Sequence, residues 1–106
     1  VFYKEDTEYF IPLNNILFFE TDDSKVYAHT KDNFFEVKFK LYELEDIIPH
    51  YYCRISKSAI INIRAIYALE KSFSGSGTAS FLNSKKEVHI SRLYYKILKE
   101  KLREMR

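Results

Sequence analysis

Arg54-Ile55-Ser56-Lys57-Ser58-Ala59-Ile60-Ile61-Asn62-Ile63-Arg64 holds three cations and no acid in an apolar frame. Tyr51–Ile55 and Ala59–Ile63 have the length and the β-branched or aromatic content of strands. Ser56, Lys57 and Ser58 form the short polar tip between them. Hydroxyl and ammonium donors at such a tip suit phosphate oxygens and base edges. A plain hairpin loop explains the same residues equally well.

The strand pattern extends outward in both directions. Val1–Lys4 and Tyr9–Leu13 flank the polar turn Glu5–Glu8 and predict a hairpin, with Pro12 keeping its end off a central ladder. Ile16–Glu20 and Lys25–Thr30 are strands around the turn formers Thr21–Ser24. Phe35, Val37 and Phe39 then alternate with Glu36, Lys38 and Lys40, a strand with one dry and one wet face. Downstream, Ala65–Leu69, Thr78–Leu82 and Glu87–Ile90 complete the set. Gly75 and Gly77 mark one loop tip, and Asn83–Lys86 forms a basic turn.

Two segments change period. Leu41, Leu44, Ile47 and Ile48 recur at helical spacing among Glu43, Glu45 and Asp46, and Pro49 stops that short helix. The acids are expected to be its solvated face. A longer helix is predicted over Arg92–Glu104, with the Ser91 hydroxyl capping its first turn. At 100° per residue, Arg92, Lys96, Lys99, Arg103 and Arg106 share an arc of about 80°. Leu93, Tyr94, Ile97, Leu98, Leu102 and Met105 are expected to pack on a sheet, with Lys101 intruding on that apolar arc. The residues therefore predict one domain over 1–106, mainly β with short α-helices and a C-terminal helix.

Composition narrows the function. The 106 residues carry a net charge of +2, but unevenly. Residues 1–53 hold 5 Lys against 11 acids, a balance of −6, and 13 of the 18 aromatics. Residues 54–106 hold 12 cations against 4 acids, a balance of +8, which points toward a polyanionic partner. Lone Cys53 excludes an internal disulfide and a Cys-based zinc site, and reads as a buried thiol. His29, His50 and His89 share no metal-ligand spacing. No phosphate-cradling glycine loop and no nucleophile elbow is present. The chain is thus expected to be no enzyme and to need no cofactor or metal. No apolar run reaches the length of a membrane span, and the cytoplasm is the expected compartment. The start at Val1 suggests a domain excised from a longer chain.

Ile16–Glu20, Ala28-His29-Thr30, Arg54–Asn62 and Ile90–Tyr94 occur in the order and spacing of a known pattern. It consists of an I-x-[YF]-[IF]-E strand, an R-[IC]-H-[RKN]-S-x-[IV]-[VI]-N segment and a closing V-S-R-x-Y before the last helix. In these segments the chain resembles the LytTR DNA-binding domain family from about residue 10 to its end. The resemblance implies small antiparallel sheets stacked in one domain, unlike a helix-turn-helix. It also implies a bacterial transcription regulator, typically a response regulator of a two-component system. Such proteins bind promoter DNA, insert loops into successive major grooves, pair two copies on direct repeats and carry an upstream receiver domain.

Carried over by position, the resemblance makes Ser24, Lys25, Lys57 and Arg92 base-contacting. The Arg92 fork suits guanine. Ser56, Ser58, Lys86, Ser91 and Lys96 are the expected backbone contacts, with Ser91 adding a helix N-terminus for phosphate. Ser56 departs from the family, which often has His there. Asp22 and Asp23 also border the first contact loop. A competing reading makes Phe18, Phe19, Phe34, Phe35, Tyr51 and Tyr52 a stacking face for protein or single-stranded nucleic acid. Burial decides between that face and a core. Lys25, Lys57 and Arg92 are expected to converge on one surface.

Overall fold

A computed structural model describes residues 1–105. Ten strands form two antiparallel sheets. In chain order the first five strands are β1 (Phe2–Lys4), β2 (Thr7–Tyr9), β3 (Phe18–Asp22), β4 (Lys25–His29) and β5 (Phe34–Val37). Helix α1 (Leu41–Ile47) follows, then β6 (Tyr52–Ser56), β7 (Ala59–Asn62), β8 (Ile66–Lys71), β9 (Gly77–Phe81) and β10 (Glu87–Ile90). Helix α2 (Arg92–Glu104) closes the chain. The large sheet has the order β2-β1-β5-β4-β3-β7-β6, and the small one β10-β9-β8.

Alternation along the central strands builds two cores, one on each face of the large sheet. Phe18, Ile61, Cys53 and Ile55 face the small sheet and α2, where they meet Phe81, Ile90 and Leu98. Phe19, Ile60, Tyr52, Val26 and Val37 face the other way and meet Leu41 and Leu44 of α1. All four residues of β7 are buried, so its continuous apolar run is that of a strand covered on both sides. Asn62 ends it without an orphaned polar atom: its amide donates to the Ile16 carbonyl at 3.1 Å and its Oδ1 accepts from the Arg64 N–H at 3.0 Å.

Several expectations are corrected. The first hairpin turns tightly, with Glu5 at φ 56, and the predicted strand Tyr9–Leu13 gives way after Tyr9. Pro12 leads instead into a 3-10 turn over Leu13–Asn15, and the carbonyls of Leu13 and Ile16 receive the Tyr52 hydroxyl and the Asn62 amide. Strand β3 is displaced toward Asp22 relative to Ile16–Glu20. Strand β5 ends at Val37, so Phe39 is exposed and does not extend the dry face.

Helix α2 has the predicted bounds and a different buried face. Tyr95 and Leu98 are buried and Leu102 is half-buried, while Leu93 is 73% exposed and Ile97 and Met105 lie on the surface. The cause is Gly77. A Cβ there would stand 2.3 Å from Tyr95 Cε2, so the bare backbone of β9 seats the Tyr95 ring and turns the helix toward it. This rotation leaves Lys101 exposed, outside the core. Arg106, the fifth member of the predicted basic stripe, lies outside the described residues. Gly75, at φ 92, is the glycine that needs the left-handed region.

Gly77→Ala is expected to force Tyr95 out of its seat, since the added carbon also meets the Glu70 carbonyl at 2.9 Å. Overpacking of this kind costs about 2 kcal/mol, or roughly 10 °C in Tm for a domain of this size. Thermal unfolding followed by circular dichroism reads it; an unchanged Tm would show that the helix yields freely.

Candidate nucleic-acid interface

Three chain segments meet at one end of the large sheet. The first is the β3–β4 turn, in which Asp23 at φ 55 and Ser24 at φ 66 form the two-residue turn that suits a twisted hairpin. Its strands pair through to Asp22 opposite Lys25. The second is the β6–β7 turn at Lys57 and Ser58. The Thr21 N–H donates to the Ser58 carbonyl at 2.8 Å, which ties the two turns together. The third is the start of α2, anchored where the Ser91 N–H donates to the Ile55 carbonyl at 2.9 Å. Lys25 and Lys57 thus stand about two strand spacings apart, roughly 10 Å, with Arg92 on the far side of β6. All three side chains are exposed.

The middle turn is held by a clamp built on Arg54. Arg54, one of the three cations of the tip segment, is not a free surface charge. Its Nε donates to the Ser56 carbonyl at 2.7 Å and its Nη2 to the Lys57 carbonyl at 2.6 Å, while Nη1 pairs with Glu45 of α1. The planar fork therefore clamps two consecutive carbonyls and a carboxylate, a geometry that a lysine cannot reproduce. Glu45 belongs to the acidic cluster expected to be solvated, so that expectation holds only in part. An Arg inside an otherwise apolar strand was the one signal in the sequence; its partner on another element was not legible.

The other expected contact residues fall into two groups. Ser58, Lys96 and Ser24 are exposed, and Ser91 is half-buried at the start of α2. The Ser24 hydroxyl turns to the Asp23 carbonyl at 2.5 Å. The Ser91 side chain makes no capping bond; its carbonyl instead receives the Tyr94 and Tyr95 N–H groups at 3.1 and 2.9 Å. Ser56 is buried, and its hydroxyl accepts the Ser58 N–H at 3.1 Å, closing its own turn. Lys86 stands apart from the rest. It props the opposite end of the sheet, donating to the Asn33 carbonyl and, at 3.2 Å, to Nδ1 of His29. That contact needs a neutral imidazole protonated on Nε2.

His29 stacks on Phe18 at 4.4 Å, and burial, with the Lys86 ammonium beside it, lowers its pKa to about 4. Burial also raises the Cys53 thiol above its ordinary range, which disfavours the reactive thiolate and fits a structural cysteine. The proposed stacking face is a core: Phe18, Phe19, Phe35 and Tyr52 are buried, and Phe34 alone of the six is exposed. Among the described residues the ion pairs are Lys38–Glu36 and Arg54–Glu45, so Lys25, Lys57 and Arg92 carry no acid partner. No helix of the described residues is long and apolar enough to cross a membrane.

Residues 6–103 match the family described as the LytTr DNA-binding domain. The chain is 32% identical, over 100 residues, to an uncharacterized HTH-type transcriptional regulator of Staphylococcus aureus strain bovine RF122 / ET3-1. The match covers 94% of this chain and 67% of that one. A homologue from strain NCTC 8325 matches equally well, at 32% identity and the same coverage. Among solved structures, a LytTr DNA-binding domain from Bacillus cereus superposes with a TM-score of 0.83 at 22% identity, covering 94% of this chain and 93% of that one. Although the relatives are named as HTH-type, α1 and α2 of this chain are separated by five strands and do not form a helix-turn-helix.

Two outcomes are expected. Arg54→Ala removes the fork, and hydrogen–deuterium exchange at the Lys57 and Ser58 amides should accelerate at least tenfold, with stability falling by about 2 kcal/mol. Exchange unchanged at those amides would leave the clamp without effect. For His29 the unfolded ring, with its ordinary pKa near 6.5, takes up protons that the folded ring refuses until about pH 4. Stability is therefore complete above pH 6.5 and declines as pH falls toward 4. His29→Gln should flatten that decline in pH-dependent denaturant unfolding.

Proposed function

This chain belongs to the LytTr DNA-binding domain family, and from that premise we propose that it reads duplex promoter DNA as part of a bacterial transcription regulator. DNA binding in transcription regulation is the family's function. The finer reading assigns the β3–β4 turn and the β6–β7 turn to base edges in successive major grooves, with the start of α2 beside them. Ser24, Lys25, Lys57 and Arg92 are the base-reading side chains. Ser58, Ser91 and Lys96 hold the phosphates. Two copies bind direct repeats, in a full-length protein with an upstream receiver domain. Ser56 and Lys86 are left out of this proposed set, because the Ser56 hydroxyl closes its own turn and the Lys86 ammonium is engaged by the Asn33 carbonyl of the β4–β5 loop.

The observation behind this reading is the gathering of two turns and the start of α2 at one end of the sheet, joined by the Thr21–Ser58 and Ser91–Ile55 hydrogen bonds. Each presents an exposed cation with no ion-pair partner among the described residues, and the three come from segments far apart in sequence. Asp22 and Asp23 lie beside Lys25, and their charge disfavours indiscriminate phosphate binding at that turn. This fits a turn that reads bases better than one that merely docks on backbone.

Selection of bound sequences from a random duplex pool tests the reading directly. A consensus repeated at about one helical turn is the expected result; recovery of no consensus would sink it. Arg92→Ala should cost about 2 kcal/mol on the selected site and relax preference at one base pair, with little change on random duplex. Equal loss on both would make Arg92 a phosphate contact only.

A further inference from the structure

We propose that the flank formed by Lys99 and Arg103 of α2 and Lys71 of β8 is a track for the phosphate backbone of duplex DNA lying beyond the two turns and the start of α2. The inference rests on the DNA-binding reading and adds to it a surface that the turns do not include. Arg92, Lys96, Lys99 and Arg103 occupy one face of α2 and line a cleft of about 480 Å³ with Lys71, across from the β8–β9 loop. Glu100 is the only acid among the described residues that line this cleft. None of these cations has an ion-pair partner among the described residues.

The arrangement is built by the fold. Tyr95, seated on Gly77, fixes the rotation of α2, and Lys71 Nζ lies 6.0 Å from the centre of the same ring. At Gly75 a Cβ would come within 2.9 Å of Arg92 Cγ and Cδ, so the bare glycine lets the arginine stem lie against the loop. These two glycines and the Tyr95 ring thus set where Arg92 and Lys71 stand against the helix. The cations also oppose the helix: Arg92–Lys96 and Lys99–Arg103 are like-charge pairs at i,i+4, which destabilise an isolated helix. The helix dipole accounts for Arg103 but not for Lys96 near the positive end. A polyanion relieves the repulsion.

Geometry favours a duplex over other polyanions. From Arg92 to Arg103 the row rises about 17 Å at 1.5 Å per residue. Phosphates on one duplex strand advance about 3.4 Å along the axis, so the row spans several successive phosphates. Its first member sits at the end that carries the turns, and the others lead away along the side of the domain. DNA held by the turns therefore meets this flank as it leaves them.

The test compares K99Q/R103Q with K31Q/K85Q, a control that removes two exposed cations from the opposite end of the sheet. Binding to a random-sequence duplex of 30 base pairs is followed by fluorescence anisotropy as salt is raised. K99Q/R103Q should lower the slope of log K against log salt by about 1.8, at roughly 0.9 for each phosphate no longer neutralised, and the control should leave it unchanged. Base preferences selected from a random pool should be the same for K99Q/R103Q and for the unmodified chain. Equal slopes for the unmodified chain and K99Q/R103Q overturn the proposal, as does an equal drop in the control. Binding to phosphatidylserine vesicles that K99Q/R103Q abolishes, with the duplex slope intact, overturns it in favour of a membrane surface. If the unmodified chain selects no consensus while the slope still drops, base reading fails and the flank stands.

Discussion

Everything in this fold hangs on β7, a four-residue strand with no face left for water. Ala59 and Ile61 enter one core and Ile60 the other, while β3 and β6 take its backbone on either side. A strand so enclosed can contain no unpaired polar group, because burying one costs several kcal/mol. Asn62 meets that condition by bonding the Ile16 carbonyl and the Arg64 amide. The same bonds fasten the chain where it leaves the 3-10 turn for β3, so the register of the sheet and the path of the chain into it are set together. At its other end β7 emerges directly into Lys57 and Ser58, and the interior strand thereby aims an exterior turn.

The two ends of the sheet are built differently. At the far end, Lys86, His29 and Asn33 lock the β9–β10 turn onto the β4–β5 loop. At the near end, the turns are held from beneath by main-chain bonds and by the Arg54 fork, which leaves their tips in solvent. Preorganised backbone with free side chains is what recognition of a long polyanion asks for. Contacts that are already positioned lose little entropy on binding. The clamp also joins α1 to the β6–β7 turn through Glu45, so a residue of the acidic half supports a turn of the basic half.

Legibility differed by kind of residue. Strands with clear alternation or unbroken apolar content were visible, as were the bounds of α2 and the stop at Pro49. The failures have definite causes. A helical wheel holds no knowledge that Gly77 seats Tyr95, so it turns Leu93 and Ile97 inward and omits Tyr95. Ser91 has the right type for a cap, but its side chain makes no capping bond and its backbone carbonyl receives the Tyr94 N–H. Lys86 has the look of an exposed turn cation until its loop meets a loop 53 residues away.

By itself the sequence determined the mostly-β class, the C-terminal helix, the division into an acidic aromatic half and a basic half, and the family that the ordered motifs point to. These follow from local period, residue type and ordered motif, which need no knowledge of distant contacts. Only the tertiary structure decided which cations stand free, which face of α2 is dry and what holds the β6–β7 turn. Those answers depend on pairings between residues apart in the chain: Arg54 with Glu45, Gly77 with Tyr95, and Thr21 with Ser58. Which of several plausible partners a side chain reaches is settled by packing and hydrogen-bond satisfaction over the whole domain.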